Sequence, residues 1–197
     1  MPSPKGYNRE EVLDLAIELF RRQGYSATST AELVEELGMN RKSMYAEFGS
    51  KQELFEAALE RYSEINLSRV LGPIEAPDAN AQSIRDAFVG YASASETKFN
   101  GLGCLMANTA VERAALDPGS AKFVDAYLNR LSKGFRNALE NARKDGDVSE
   151  AANLDDLAAH FVNAVVGISA LLRAKATPEQ IYAAGRGITS VLGGANP

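Results

Sequence analysis

The sequence has very little metal-binding or redox-active chemistry. It holds one cysteine, one histidine and no tryptophan among its 197 residues. A single cysteine cannot form a disulfide within the chain, and Cys104 with His160 cannot supply the four ligands of a structural zinc site. We therefore expect no metal and no cofactor. The scarcity of cysteine is typical of a reducing cytoplasm, which is the expected location.

Long apolar runs are also missing. The most apolar stretch, residues 161–172, covers 12 residues and contains Asn163, whereas a membrane-spanning helix needs roughly 18. Residues 1–6 have no apolar segment behind them, so no secretory signal is expected. The stretch at 161–172 is better explained as a buried helix, and we expect no membrane partner.

The periodicity of the apolar residues predicts an all-α fold. Hydrophobic residues make up 45% of the chain and charged residues 24%, which is typical of a folded globular protein. No segment shows the sustained alternation, rich in β-branched and aromatic residues, that a sheet requires. Apolar residues instead recur at helical spacing, so the sequence predicts helices throughout.

Three short helices are predicted near the N-terminus. The first begins near Arg9 and ends at Gly24. The second begins at a capping box formed by Ser29 and Glu32 and ends at Gly38, and the third begins with Asn40 as its N-cap. Two helices joined by a tight glycine turn have the form of a DNA-binding helix-turn-helix.

The rest of the chain is predicted to form a larger helical bundle. A fourth helix, about 51–66, should connect it to the first three, and residues 71–80 are predicted to be a loop because they hold two prolines and a glycine. Five further helices are predicted over approximately 81–97, 102–115, 119–144, 153–175 and 178–192. This gives about nine helices in two domains, residues 1–50 and residues 51–197.

The net charge of −5 argues at first against a nucleic-acid partner. The distribution of the charge favours a nucleic-acid partner, because Arg41, Lys42 and Lys51 outnumber Glu47 between positions 39 and 51. Polar and basic side chains also crowd the first turn of the third helix, and they are suited to contacts with phosphates and base edges. These residues are Asn40, Arg41, Lys42 and Ser43. We therefore predict that this turn contacts DNA.

Residues 9–62 resemble the DNA-binding domain of the TetR family of regulators. The resemblance lies in Gly24-Tyr25-Ser26-Ala27-Thr28-Ser29, in Leu37-Gly38-Met39-Asn40-Arg41-Lys42-Ser43-Met44-Tyr45 with Phe48, and in Ser50-Lys51-Gln52-Glu53-Leu54-Phe55. It implies that Thr28 and Ser29 contact phosphate, that residues 40–43 enter the groove, that Tyr45 reaches the backbone and that Lys51 anchors the start of the fourth helix. Glu47 departs from the family pattern and is expected at the rim of the DNA-binding face.

The resemblance also implies an effector pocket and a two-fold dimer interface in the C-terminal region. The residues predicted to line the pocket are Phe88, Tyr91, Cys104, Asn108, Tyr127 and His160. Those predicted to form the interface are Phe161, Val165, Ile168 and Leu172 on one helix and Ile181 and Ile188 on the next. The alternative for both helices is that their apolar stripes face the core of their own chain.

An enzyme is the weaker interpretation. The sequence contains neither a G-x-S-x-G pattern nor a P-loop, and Cys104 with His160 is the one nucleophile and base pair that it offers. A lone cysteine is commonly a buried small hydrophobe, although a cytosolic regulator can also use one as a thiol sensor. We therefore expect no catalytic residues.

The sequence as a whole predicts a homodimeric, ligand-responsive transcriptional regulator, most simply a repressor. It would bind a palindromic operator in double-stranded DNA and be released by a small-molecule effector. The alternative is a helical ligand-binding or protein-interaction module that does not bind DNA. The salt dependence of binding distinguishes these two interpretations, because DNA binding weakens steeply as the salt concentration rises.

Overall fold

A computed structural model describes residues 7–193 and confirms the all-α prediction. Within this range the chain forms ten α-helices and one π-helical segment, and no strand. The α-helices are α1 (Arg9–Gln23), α2 (Thr30–Glu36), α3 (Arg41–Phe48), α4 (Lys51–Arg61), α5 (Ser68–Glu75), α6 (Ala81–Ala94), α7 (Leu105–Glu112), α8 (Pro118–Lys144), α9 (Leu154–Arg173) and α10 (Pro178–Thr189).

The first three helices begin where the sequence predicts. The Asn8 side chain caps α1, Ser29 and Glu32 form the reciprocal capping box at α2, and Asn40 caps α3. Gly38 adopts a φ of 62° in the turn between α2 and α3, a conformation that glycine enters without steric cost. Helices α1 to α3, called the headpiece below, pack around a core that includes Phe20, Leu33, Met44 and Phe48.

The predicted loop at 71–80 is partly wrong. Helix α4 continues through the π-helical segment Tyr62–Leu67 into α5, so that one unbroken rod runs from Lys51 to Glu75 and residues 7–193 form nine rods. Pro73 lies inside α5, where it removes one backbone hydrogen bond. Leu71 and Ile74 are buried against the bundle, and this packing outweighs the cost of the proline.

Helices α6 to α10 form the larger bundle. The 27-residue helix α8 packs against α5, α6, α7 and α9, and α10 packs against α6 and α9. The rings of Phe88, Phe135 and Phe161 meet at its centre, with centroids 5.3 Å apart for Phe135 and Phe161 and 5.9 Å for Phe88 and Phe161. These contacts join α6, α8 and α9 into one core.

The stripe predicted to form the dimer interface faces this core instead. Five of its six members are at most 5% exposed within the single chain, namely Phe161, Val165, Ile168, Leu172 and Ile181. The sixth, Ile188, is partly buried, and its carbonyl lies 3.1 Å from His160 Nε2. That interface prediction is therefore wrong for the buried residues, because α8 and α6 already cover the apolar faces of α9 and α10.

Helix α9 is long and apolar enough to cross a membrane by length and composition, with a mean hydropathy of 1.3 over its most apolar window. Its packing explains this apolarity without a membrane. Leu154, Ala158, Phe161 and Val165 lie along the face that it buries in the bundle. Within residues 161–172 this face is buried, whereas Asn163, Gly167, Ala170 and Leu171 on the other face are exposed, so the predicted buried helix is only half buried.

Candidate nucleic-acid interface and sensor core

The N-terminal tip of α3 is exposed and cationic. The Asn40 side-chain oxygen accepts a hydrogen bond of 2.9 Å from the backbone N–H of Ser43, which fixes the first turn. Arg41 and Lys42 follow at once and are both exposed, while Met44 and Phe48 on the opposite face are buried. The apolar face therefore holds α3 against the headpiece and leaves its basic turn free to meet a ligand.

Tyr45 lies one turn further along the same exposed surface. Its ring is 36% exposed, and the Arg41 guanidinium carbon lies 5.7 Å from the ring centroid. Hydrogen bonding with Thr30, and then with Arg41, lowers the pKa of the Tyr45 hydroxyl. The backbone contact predicted for Tyr45 stays a prediction that this placement permits.

Glu47 does not project from the rim of the basic surface. Its carboxylate lies 3.3 Å from Arg9 Nε and accepts a hydrogen bond of 2.9 Å from the Tyr7 hydroxyl. The side chain is only 10% exposed. The negative charge is therefore neutralised against the start of α1, and it does not oppose an approaching phosphate.

The two residues at the start of α2 differ in their accessibility. Ser29 is exposed at the N-terminus of its helix, where a phosphate contact is sterically open. Thr28 is completely buried, and its hydroxyl donates a hydrogen bond of 2.6 Å to the Gly24 carbonyl. The predicted phosphate contact of the Thr28 side chain is therefore wrong, because that hydroxyl satisfies a carbonyl at the end of α1.

Lys51 lies at the junction of the headpiece and the bundle. Its ammonium lies 4.2 Å from the centroid of the Tyr25 ring, and the Arg113 guanidinium lies at the same distance from that ring. Burial, and then the charge of Arg113, lower the Lys51 pKa, and Glu112 acts in the opposite direction. Its ring contact holds the Lys51 side chain at the start of α4, and the predicted contact of Lys51 with DNA stays a prediction.

Glu112 at the end of α7 binds the turn between α1 and α2. Its carboxylate accepts hydrogen bonds from the backbone N–H groups of Tyr25, at 3.0 Å, and Ser26, at 2.6 Å. Partial burial acts to raise the Glu112 pKa, but the hydrogen bonds from Ser26 and Tyr25 outweigh it and the net pKa is lowered. The charged form of Glu112 therefore ties the bundle to the headpiece.

Replacing Glu112 with glutamine should remove a stabilisation that depends on pH. Because the folded-state pKa of Glu112 lies below its usual value of 4.5, the stabilisation is complete above that value and is lost as the pH falls through the folded-state pKa. Wild type should be more stable than Glu112→Gln by about 1 kcal/mol at neutral pH. The difference should vanish in acid.

Urea denaturation at a series of pH values measures this difference. Glu150→Gln is the matched control, since the Glu150 side chain is 88% exposed and lies 4.0 Å from Arg143 alone. A Glu112→Gln deficit that stays constant down to about pH 3 would show that the charge is not responsible.

Four of the predicted pocket residues lie in the bundle interior. Beside them lies one further residue that was not predicted from the sequence. The Cys104 thiol lies 3.8 Å from the Tyr127 hydroxyl, and the Phe88 and Tyr91 ring centroids are 6.0 Å apart. Tyr62, from the π-helical segment, joins them. Burial, and then the proximity of Cys104, raise the pKa values of Tyr62, Tyr91 and Tyr127. We call Tyr62, Tyr91, Cys104 and Tyr127 the tyrosine cluster.

The structure does not bring Asn108 and His160 into this cluster. Asn108 donates a hydrogen bond of 3.0 Å to the Leu102 carbonyl and lines a separate cleft with Glu112 and Arg173. His160 is exposed on α9, so its placement in the pocket is wrong; the neighbouring Phe161 occupies the buried position. Cys104 accordingly has a tyrosine partner, and the cysteine and histidine pair considered as an enzyme site is not formed.

The tyrosine cluster is connected to the headpiece through Arg21. This α1 side chain donates two hydrogen bonds to the Gly103 carbonyl, at 2.6 and 3.1 Å, and its guanidinium carbon lies 5.6 Å from the Tyr62 ring centroid. Arg173 in turn donates to the Arg21 carbonyl. A change in the position of Tyr62 or of residues 103–104 therefore reaches α1 directly.

The sequence matches known regulators over both parts of the chain. Residues 12–58 match the family described as "Bacterial regulatory proteins, tetR family", and residues 81–188 match the "Tetracyclin repressor-like, C-terminal domain". The HTH-type transcriptional repressor ComR of Escherichia coli is 29% identical over 183 residues, which cover 90% of this chain and 85% of ComR. The uncharacterized HTH-type transcriptional regulator YezE of Bacillus subtilis is 28% identical, covering 90% and 92%.

Solved structures with the same fold include DNA complexes. A cysteine mutant of the TetR family transcriptional regulator CifR, complexed with 26-base-pair operator DNA, superposes with a TM-score of 0.83 at 22% identity. The superposition covers 95% of this chain and 98% of that one. At this identity the likeness establishes the fold.

Proposed function

This chain belongs to the tetR family of bacterial regulatory proteins, and from that premise we propose that it is a dimeric repressor that binds a palindromic operator and leaves it when a small effector binds. Transcription regulation through DNA binding is the activity of the family. ComR, which matches most of the chain, is a transcriptional repressor. A protein with this activity binds chromosomal DNA, which in bacteria lies in the cytoplasm.

The basic tip of α3 carries the proposal. Exposed Arg41 and Lys42 stand at the start of a helix whose opposite face is buried, which is the arrangement that presents side chains to a major groove. Ser29 and Tyr45 flank this tip and offer a hydroxyl each to the DNA backbone. Neutralising Glu47 within the protein keeps the surface cationic in a chain of net charge −5.

Operator binding is tested by selecting duplexes from a random pool and measuring their affinity by fluorescence anisotropy. The selected sites should be palindromes whose half-sites lie about 34 Å apart, because a two-fold dimer presents two recognition helices. Binding should weaken steeply as salt rises. If no duplex is enriched, or if binding does not respond to salt, the chain is a ligand-binding or protein-interaction module instead.

The release of DNA by an effector is proposed to run through Arg21 and Glu112. A molecule that enters the tyrosine cluster must displace side chains next to Gly103, whose carbonyl accepts from Arg21. Helix α7 carries Cys104 at its N-cap and Glu112 at its end, so its movement also pulls on the turn that Glu112 holds. A coupling free energy of about 1–3 kcal/mol would be typical for such a linkage.

The dimer is proposed to form through the outer faces of α9 and α10. These faces carry small and apolar exposed residues that allow close approach of another helix, among them Ala159, Gly167, Ala170, Leu171, Ala183 and Gly187. They lie opposite the stripes that the bundle buries. His160 and Asn163 on the same outer surface add polar groups that a partner could pair.

Replacing Gly167 with glutamate should convert the dimer to a monomer. A side chain at this position meets no atom within 4 Å in the single chain, so the fold should tolerate it, whereas a charge at a helix contact should block dimerisation. Sedimentation velocity measures the change at a concentration where wild type is dimeric. Gly90→Glu, on α6, is the control with equally open space and should stay dimeric. If Gly167→Glu remained dimeric, the dimer interface would lie on a different surface.

A further inference from the structure

A second cleft lies where α1 of the headpiece meets the segment between α6 and α7. Its volume is about 310 Å³, and its walls include Glu18 and Arg22 from α1, Lys98, Phe99 and Asn100 from the segment, and Lys175 after α9. None of these residues belongs to the tyrosine cluster or to the tip of α3. The cleft is large enough for a small organic molecule.

Positive charge in this cleft is only partly neutralised. Arg22 pairs with Glu36 at 3.1 Å. Lys98 and Lys175, by contrast, have no carboxylate within 4.0 Å anywhere in residues 7–193. With Arg22 paired outside the cleft, the wall carries these two ammonium groups and one carboxylate, that of Glu18, and the excess of positive charge favours an anionic occupant.

An acceptor in the same cleft also lacks a partner. The Asn100 side-chain oxygen is buried and makes no hydrogen bond with any described residue. Buried polar atoms are paired in the great majority of proteins, so this oxygen is an unsatisfied acceptor in a residue of the cleft wall. The Glu18 carboxylate lines the same space and accepts donors as well. An occupant should therefore carry a hydroxyl or ammonium group besides its negative charge.

The backbone at Lys175 supports a role for that side chain. Lys175 is the one described residue other than glycine with a positive φ, 56°, and it follows the end of α9. Glycine is the usual residue at such a helix terminus, because a Cβ is strained there. The lysine side chain extends over Gly101 into the wall of the cleft. Glycine at this position would avoid the strain of the positive φ.

We propose that this cleft binds a small organic anion that also carries a hydroxyl or ammonium donor. Lys98 and Lys175 hold the acidic group, Glu18 accepts from the donor, and Phe99, 42% exposed, covers the apolar part of the molecule. Because Arg22 and Glu18 belong to α1, an occupant joins the headpiece to the bundle. An effect of this occupant on DNA binding rests on the proposed function, whereas the binding of the anion itself does not.

Isothermal titration calorimetry of the full chain without DNA tests the binding. The probes are 3-hydroxybutyrate and glycerol 3-phosphate, which separate a carboxylate from a phosphate; butyrate, which lacks the donor; and 1,3-butanediol, which lacks the charge. We expect one of the two hydroxylated anions to bind at least about tenfold more tightly than butyrate, and the diol not to bind. Equal affinity for butyrate and the hydroxylated anions, or no binding by either anion, would overturn the proposal.

Lysine variants locate the site. Lys98→Gln and Lys175→Gly should each weaken binding of the preferred anion by about tenfold or more, while Lys133→Gln, on the exposed surface of α8, should not change it. Lys175→Gly also relieves the positive φ, so its melting temperature should be no lower than that of wild type. Wild-type affinity in both cleft variants would show that the anion binds elsewhere.

Operator affinity, measured separately on the same preparations, distinguishes the two conclusions. A protein that binds its operator but none of the probes retains the proposed function and loses this inference. A protein that binds the anion through Lys98 and Lys175 but no duplex retains the inference and loses the proposed function.

Discussion

Replacing Arg41 and Lys42 together with alanine is expected to weaken operator binding by about 100-fold at physiological salt. Both side chains are exposed at the start of α3, and Arg41 stacks on the Tyr45 ring and hydrogen-bonds its hydroxyl, which is itself accessible to water. A contact to a phosphate or a base edge is typically worth about 1–3 kcal/mol, so two lost contacts give a change of this size. Fluorescence anisotropy with a selected operator measures it.

The salt dependence of the same variant separates the two kinds of contact. If both side chains neutralise phosphates, the slope of log affinity against log salt should become shallower by about two. If Arg41 reads a base edge, a single Arg41→Ala substitution should relax preference at one operator position. Lys133→Ala on α8 is the control for the single Arg41→Ala substitution, since each removes one positive charge. Wild-type affinity in the double variant would show that the tip of α3 is not the DNA-binding surface.

Replacing Phe161 with alanine is expected to lower the free energy of unfolding by about 3–5 kcal/mol. Phe161 has no exposed surface and packs on the rings of Phe88 and Phe135, so its removal leaves a cavity among α6, α8 and α9. For a chain of this size the melting temperature should fall by about 10 °C. Thermal unfolding followed by circular dichroism measures the fall at a fixed protein concentration.

The control for this variant is Val89→Ala, since Val89 lies on α6 and is 54% exposed. Its free energy of unfolding should stay within about 0.5 kcal/mol of wild type. If Phe161→Ala also stayed within that range, the three phenylalanine rings would not form the centre of the bundle. If Phe161→Ala lowered the fraction of dimer but left the melting temperature unchanged, Phe161 would belong to the dimer interface.

Local signals in the sequence were sufficient to predict the headpiece. Ser29 with Glu32, and Asn40 by itself, determine helix starts because a side-chain oxygen satisfies a backbone N–H that the helix leaves open. The exposure of the basic turn follows from the same segment, since Met44 and Phe48 anchor its other face. The fold class and these helix starts are therefore properties of short stretches of sequence.

Contacts between distant segments could not be predicted in this way. Glu112 reaches Tyr25 across 87 positions, and the hydroxyl of Thr28 finds Gly24 because the end of α1 lacks a donor. An apolar stripe on α9 shows that one face is covered, but not whether the cover is its own chain or a partner. Packing by α8 decides this for Phe161 and Val165, and it leaves the small residues opposite them exposed.

The π-helical segment at Tyr62–Leu67 fixes the angular relation between the two halves of the long rod. A π turn holds more residues than an α turn, so it rotates everything beyond it about the rod axis relative to an unbroken α-helix. Removing one residue there would turn Leu71 and Ile74 by about 100° away from the bundle. The length of this segment therefore sets the rotation of α5 about the rod axis relative to α4, and with it which residues of α5 face the bundle.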